Sequence, residues 1–381
     1  MSSSTGAGAA SAESAGAGTL PRLKLYYEKN EHRIAAASFV AGFVFDAFMV
    51  GRIDSWEMIG QQAAYLALIL LALTQMVVEQ EHPAPDLASI AAPKRWYYRY
   101  RSFVVHFLFG TLLNLYTIFF FKSSSLLVSS SFLAVLVLLL LANESRRFKS
   151  LGLAFKFVLL ALCMLSFAAL LVPVFAGSMG IAVFLVSMAV GCIPMAAAAA
   201  WLRRRSPALA QRARRQVLVP LGTVLVIFLA FYLFRLIPPV PLSIPYIGVY
   251  HAVDKTQDSY RLSHERPWWR FWQNGDQWFS AQPGDKVVVY FRVFSPTHFS
   301  DQVLMRWYRK EPRGWSLQDS IPINIVGGRE QGFRGYGVKT NYQPGDWKVQ
   351  VETTDEREIG RIYFDVEAAP PGPRSFQVDP D

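Results

Sequence analysis

The sequence predicts a membrane all-α bundle of about seven transmembrane helices followed by an all-β, immunoglobulin-like sandwich domain. Three observations lead there. Apolar runs long enough to cross a bilayer fill residues 35–234, the charges between those runs are strongly one-sided, and beyond residue 238 apolar side chains recur at every second position. With 52% hydrophobic residues and a mean hydropathy of +0.23, the 381-residue chain is too apolar for an ordinary soluble protein.

A helix needs about 20 apolar residues to cross a hydrocarbon core of roughly 30 Å, because unpaired backbone amides are too costly in lipid. Runs close to that length are 35–50, 58–78, 102–121, 123–142 and 216–234, and 157–202 is a charge-free stretch of about twice the length. Gly177-Ser178-Met179-Gly180 supplies a turn near its middle, so it counts as two spans and the bundle over 34–237 holds seven. Residues 1–33 begin rich in Ala, Gly and Ser and read as a disordered cytoplasmic N-terminus rather than a signal peptide.

Alternate segments 1–34, 79–101, 143–152 and 203–215 hold 17 Lys and Arg, against Arg52 and Lys122 in the other set. Cytoplasmic loops carry the basic excess. The N-terminus is therefore expected in the cytoplasm, and an odd number of spans sends residues 238 onward outside. The expected location is a bacterial inner membrane with a periplasmic C-terminal domain.

The formal charge of +10 divides unequally. Residues 238–381 contain 17 Lys+Arg and 18 Asp+Glu, so the excess belongs to the membrane half, where sidedness accounts for it and no nucleic-acid partner is implied. Cys163 and Cys192 both lie in apolar runs and read as small buried hydrophobes, not as a disulfide or metal site.

A Pro-rich connector over 238–247 leads to a β domain over 248–369 and a flexible tail over 370–381. In Trp347-Lys348-Val349-Gln350-Val351-Glu352 the odd positions are apolar, and Ile362, Phe364 and Val366 repeat the pattern after a polar turn, which predicts a hairpin with one buried face. Runs at 287–293, 303–308 and 321–325 predict further strands.

The succession Met305-Arg306-Trp307-Tyr308, Gly327-Gly328-Arg329, Phe333-Arg334-Gly335-Tyr336, Gly345-Asp346-Trp347-Lys348-Val349 and Gly360 through Phe364-Asp365-Val366 resembles the domain of unknown function numbered 2914 over roughly residues 290–367. The resemblance implies a bacterial, membrane-anchored β domain and no assigned activity. Met305 stands two places before Trp307, where members of that family often carry His, so no His-dependent role is carried over.

Asp46 is the acidic residue inside a predicted span, where an ionisable group is costly enough to suggest function. His106, Gly110 and Asn114 fall at i, i+4 and i+8 on one helical face, with Thr117 close by. This polar set either fixes helix packing by hydrogen bonds or lines a path in a transporter or membrane-embedded enzyme.

Six aromatic rings, including Trp268, Trp269, Trp272 and Trp278, crowd into residues 267–279. Core packing, contact with lipid headgroups and a stacking platform for a glycan or other ligand are all compatible with that composition. Arg329 and Arg334, in the Gly-rich motifs, are further candidates for a ligand or interface. Gly327-Gly328-Arg329-Glu330 itself reads as a β-turn, because no helix with Lys-Ser or Lys-Thr follows.

No nucleophile with its base, metal-ligand spacing or nucleotide motif stands out, and His251, His264 and His298 are isolated in the tail domain, so no cofactor or metal is expected. The sequence favours a non-enzymatic membrane protein, partnered by the bilayer, whose outer β domain binds an envelope protein or glycan; it leaves the oligomeric state open.

Overall fold

The computed structural model describes residues 54–82, 91–123, 134–138, 152–256, 259–297, 299–328 and 331–380. All of them belong to one compact unit, Arg52–Asp381; the other unit, Met1–Gly51, lies outside the described residues.

Among the described residues five helices are long and apolar enough to span a membrane: α1 (Trp56–Glu79), α2 (Ala92–Lys122), α3 (Leu153–Ala176), α4 (Ile181–Arg203) and the run Pro207–Leu233. That last run comprises α5 (Pro207–Arg212), a π-helical turn (Ala213–Leu218) and α6 (Val219–Leu233). Among the described residues the count is therefore five, not about seven. The spans expected at 35–50 and 123–142 fall outside the described residues, save residue 123 and the helical residues 134–138.

Lys156 is the one charged residue of α3, which is otherwise apolar on every side and suits the middle of a bundle. It packs against α1, α2, α4 and α6. Gly191 lets α4 approach closely, since a β-carbon there would sit 3.0 Å from Leu165 Cδ2 and 3.1 Å from the Met164 carbonyl oxygen. Leu185, Val190, Ile193, Val226 and Leu233 point outward from α4 and α6, an apolar surface that lipid accepts and water does not. The turn expected within 157–202 falls between α3 and α4, where Gly177 closes α3 in the left-handed region (φ 67°).

The β domain is built from β1 (Ser243–Tyr250), β2 (Ala252–Lys255), β3 (Tyr260–His264), β4 (Trp278–Ala281), β5 (Val287–Phe294), β6 (Ser300–Glu311), β7 (Gly314–Val326), β8 (Phe333–Lys339), β9 (Gly345–Thr353), β10 (Glu358–Ala368) and β11 (Gln377–Pro380). They form sheets of order β1-β5-β8, β4-β10-β9-β6-β7 and β11-β3-β2. The hairpin expected from alternation is β9–β10, with Trp347 opposite Phe364 and Val349 opposite Ile362. These side chains meet Val289, Phe291 and Val293 of β5 and Met305 and Trp307 of β6 in one buried core. Residues 370–381, expected to be a flexible tail, instead supply β11, paired antiparallel with β3, and Arg374, which bridges Asp285 (2.6 Å) and Glu265 (3.3 Å).

The β domain is docked on one end of the bundle. Ser300 N donates to the Gly177 carbonyl (2.9 Å), Met179 N donates to Asp301 Oδ2 (2.8 Å), and Met179 itself packs against the β core. The Thr297 hydroxyl donates to Asp54, just before α1 (2.9 Å), whereas past the far end of α1 Glu81 accepts from the Ser206 hydroxyl (2.8 Å). Tyr97 OH donates to Gln75 Oε1 (2.7 Å) and Arg101 pairs with Glu79 (2.5 Å), so the first turns of α2 lie beside the last turns of α1, while α2 also contacts β1. Residues 79–82, 91–101 and 203–215 therefore share the end of the bundle away from the β domain.

Candidate functional site

Strand alternation fixes what the outer face of the five-stranded sheet carries. With Phe364 and Trp347 turned into the core, their neighbours Tyr363 and Asp365 on β10 and Asp346 and Lys348 on β9 face out. Register then assembles a row from distant parts of the chain: Trp278 beside Asp365, Asp365 opposite Asp346, and Lys310 opposite Trp315. Tyr363, Lys348 and Tyr308 form the next row.

A groove of about 370 Å³ runs over these rows, with Gln273, Gln277, Lys310, Asp346 and Asp365 between the rings of Trp278, Trp315 and Tyr363. Trp278 is 60% exposed, Tyr363 42% and Trp315 39%. The Trp315 and Tyr363 rings lie 5.7 Å apart, and the Lys348 amine sits 4.3 Å from the Tyr308 ring and 5.4 Å from Trp315. Burial, then Arg361, lowers the Lys348 pKa. The Lys310–Asp346 ion pair (3.0 Å) is well exposed, so it is weak in water and its atoms can turn to a ligand at little cost. Gln277 donates to the Tyr363 carbonyl (3.1 Å), which holds its side chain at the groove edge.

The aromatic segment flanks this groove. Gly275 (φ 69°) lets the loop lie against β1, since a β-carbon there would collide with the Val249 carbonyl, to which Asp276 N donates (2.7 Å). The Arg270 guanidinium lies 4.6 Å over the Trp269 ring and 3.9 Å over that of Trp278, and the Trp269 and Trp272 rings are 6.2 Å apart. Trp268 is 82% exposed and Trp272 64%, so these rings are not core. Nor does Trp278 sit beside the bundle. Trp278 neighbours Asp365, seven residues along β10 from Glu358, which is about 23 Å at 3.3 Å per residue from the turn that touches α6.

Other candidates are dispersed. Arg334 lies on β8 opposite Arg292, in the β1-β5-β8 sheet, bonded to Gln331 (2.5 Å). Asp46 and Arg329 fall outside the described residues. His106, Gly110 and Asn114 share a half-buried face of α2, where Thr117 donates to the Leu113 carbonyl (2.7 Å).

Trp315, Tyr363, Lys310 and Asp346 escaped sequence reasoning. The available signal was Tyr363, an aromatic ring at the polar-facing position between Ile362 and Phe364. A second grouping also went unseen. His251, its side chain 5% exposed, lies 3.5 Å from Asp276, 3.6 Å from Glu265 and 3.8 Å from Asp285, stacked on Phe279 at 4.0 Å. Burial, then Arg374, pushes His251 down to about 4, and burial pushes Asp276 up to about 6. Closed over by Phe376, this cluster ties down the C-terminal segment rather than facing a substrate. Among the described residues no group of His, Cys, Asp or Glu is arranged to hold a metal.

Apolar helices and sheets together define a membrane protein with a β-rich C-terminal domain. Residues 300–366, from β6 into β10, match the family described as protein of unknown function (DUF2914), a span that includes Lys310, Trp315, Asp346, Tyr363 and Asp365. No curated protein matches the chain. Among solved structures, the Bifidobacterium adolescentis GH3 beta-glucosidase is 8% identical over 34% of this chain and 18% of its own, with a TM-score of 0.17. The Pseudomonas fluorescens alkylpurine DNA glycosylase AlkC, bound to DNA with an abasic site analog, is 10% identical over 84% of this chain and 100% of its own (TM-score 0.21). The Kluyveromyces marxianus beta-glucosidase is 9% identical over 32% and 15% (TM-score 0.13). The chain spans 18% of the length of the first of these, and likeness at such scores carries no argument about fold or function.

Proposed function

We propose that the chain is a seven-span bacterial inner-membrane protein, N-terminus in the cytoplasm, that displays an immunoglobulin-like sandwich in the periplasm and binds an envelope glycan along the outer face of its five-stranded sheet. The observation that carries this reading is the exposure of Trp278, Trp315 and Tyr363 in one groove with Gln277, Lys310 and Asp346 between them. A sugar ring offers an apolar C–H face to an aromatic ring and a rim of hydroxyls to amide, amine and carboxylate groups. Protein interfaces centre on a continuous apolar core, whereas here charged and amide groups separate the rings, which suits a polyhydroxylated chain better than an envelope protein.

Sidedness is supported by the 17-to-2 bias of Lys and Arg and by the location of 79–82, 91–101 and 203–215 away from the β domain. The seven-span count is supported by direction. α2 begins beside the far end of α1 and also contacts β1, and α3 ends at Gly177 against the β domain; two helices running the same way call for a return crossing between them, where the sequence suggests a span at 123–142.

The test is binding of soluble peptidoglycan fragments and neutral envelope oligosaccharides by the full-length protein in detergent, followed by tryptophan emission. Trp278→Ala and Trp315→Ala are each expected to weaken binding by at least about tenfold. Equal binding by the variants, or no response to any of these glycans, contradicts the reading.

A further inference from the structure

We propose that the end of the bundle away from the β domain binds the phosphodiester headgroup of an anionic phospholipid, with Arg212, Arg214 and Arg215 as its principal ligands. The observations are independent of the glycan groove. Six arginines, Arg203, Arg204, Arg205, Arg212, Arg214 and Arg215, fall within residues 203–215, which contain no acidic residue. Among the described residues none of the six forms an ion pair; Glu79 is paired with Arg101, and Glu81, which reaches this segment, accepts from the Ser206 hydroxyl.

Depth identifies the anion. The same end of the bundle exposes Trp96 (60%), Trp201 (44%) and Tyr100 (41%), the ring types that settle among lipid headgroups. Arg205 lies 4.2 Å over the Trp201 ring, which ties the arginine segment to that level. An anion met there is a phosphodiester fixed in the bilayer, not a polyanion in open water.

Local geometry selects the ligands. In the π turn Ala213 and Val217 are buried, which leaves Arg214 and Arg215 adjacent and exposed. Arg212 Nη1 is shielded from water yet has no hydrogen-bond partner, an arrangement that costs free energy until an acceptor arrives. A planar guanidinium fork matches two oxygens of a phosphate. Net positive charge then favours an anionic headgroup over a zwitterionic one, at roughly fivefold per arginine close to the surface.

The experiment measures binding of acyl-chain-labelled phosphatidylglycerol and phosphatidylcholine to the full-length protein in neutral detergent. Phosphatidylglycerol is expected to bind at least about tenfold more tightly, and the R212Q/R214Q/R215Q variant is expected to bring the two within about twofold. Should the variant not fold, about 0.5 M NaCl added to the wild type must collapse the preference in the same way. Equal binding of both lipids by the wild type, an undiminished preference in the folded variant or in salt, or full displacement of the lipid by equimolar inorganic phosphate would each overturn the proposal.

Discussion

The Arg357 guanidinium lies 3.7 Å over the ring of Tyr232, so the turn between β9 and β10 is clamped to the last turn of α6. Tyr232 OH donates to Asp355 (3.1 Å), and Arg357 pairs with the same carboxylate (2.6 Å). Arg235 and Glu356, paired at 2.7 Å, both adopt positive φ (58° and 62°), a conformation that non-glycine residues seldom hold without such support. Tyr232→Ala is expected to speed hydrogen exchange in residues 353–358 by about tenfold, the equivalent of a cation–π contact of 1–2 kcal/mol, while Tyr232→Phe keeps the ring and changes it by less than about threefold. Equal rates in both variants would remove the clamp.

Trp347 and Phe364 face each other across the β9–β10 hairpin and are 2% and 5% exposed. Truncating either to Ala is expected to destabilise the β domain by about 3–5 kcal/mol, read from chemical denaturation. Because β1 begins at Ser243 and β11 ends at Pro380, a fragment spanning 243–381 should unfold at higher denaturant than one spanning 246–370. Equal midpoints would mean that β11 and Arg374 contribute nothing.

His251 and Asp276 predict opposing pH slopes. Asp276, raised from 3.8 to about 6 chiefly by burial, favours the folded state below its unfolded value, and that contribution is lost as pH rises through about 6. His251, lowered from 6.5 to about 4 chiefly by burial, contributes above its unfolded value, and that is lost as pH falls toward about 4. Each slope is worth roughly 3 kcal/mol. The wild-type domain should therefore be nearly flat in stability between about pH 4 and 6, Asp276→Asn should make stability rise with pH there, and His251→Gln should make it fall. Denaturation midpoints across that range check both signs.

A reporter enzyme active only outside the cytoplasm is expected to work when fused after Pro245 and to fail when fused within Arg203 to Arg205. Activity at the arginine fusion and silence at Pro245 would invert the topology.

Local patterns were legible where neighbours in sequence decide the outcome. The Gly177–Gly180 turn, the long apolar runs and the alternation of Trp347 through Val366 needed no distant partner. The groove needed four: Trp278, Trp315, Asp346 and Tyr363 meet only because β4 adds in parallel to β10 and β7 folds back on β6. Residues 267–279 announced an aromatic cluster by composition, but only the register of Trp278 against Asp365 shows that this ring's backbone stands some 20 Å along the strand from the bundle. β11 was illegible for a related reason: four residues, Gln377 to Pro380, have strand character only against β3.

The most direct measurement of the glycan reading is photo-crosslinking of a diazirine-bearing peptidoglycan fragment to the full-length protein, with the labelled peptides located by mass spectrometry. The account predicts labels on β4, β7 and β10, at or beside Trp278, Trp315 and Tyr363, that excess unlabelled fragment removes. Competable labels confined to the bundle or to the β1-β5-β8 sheet would contradict it.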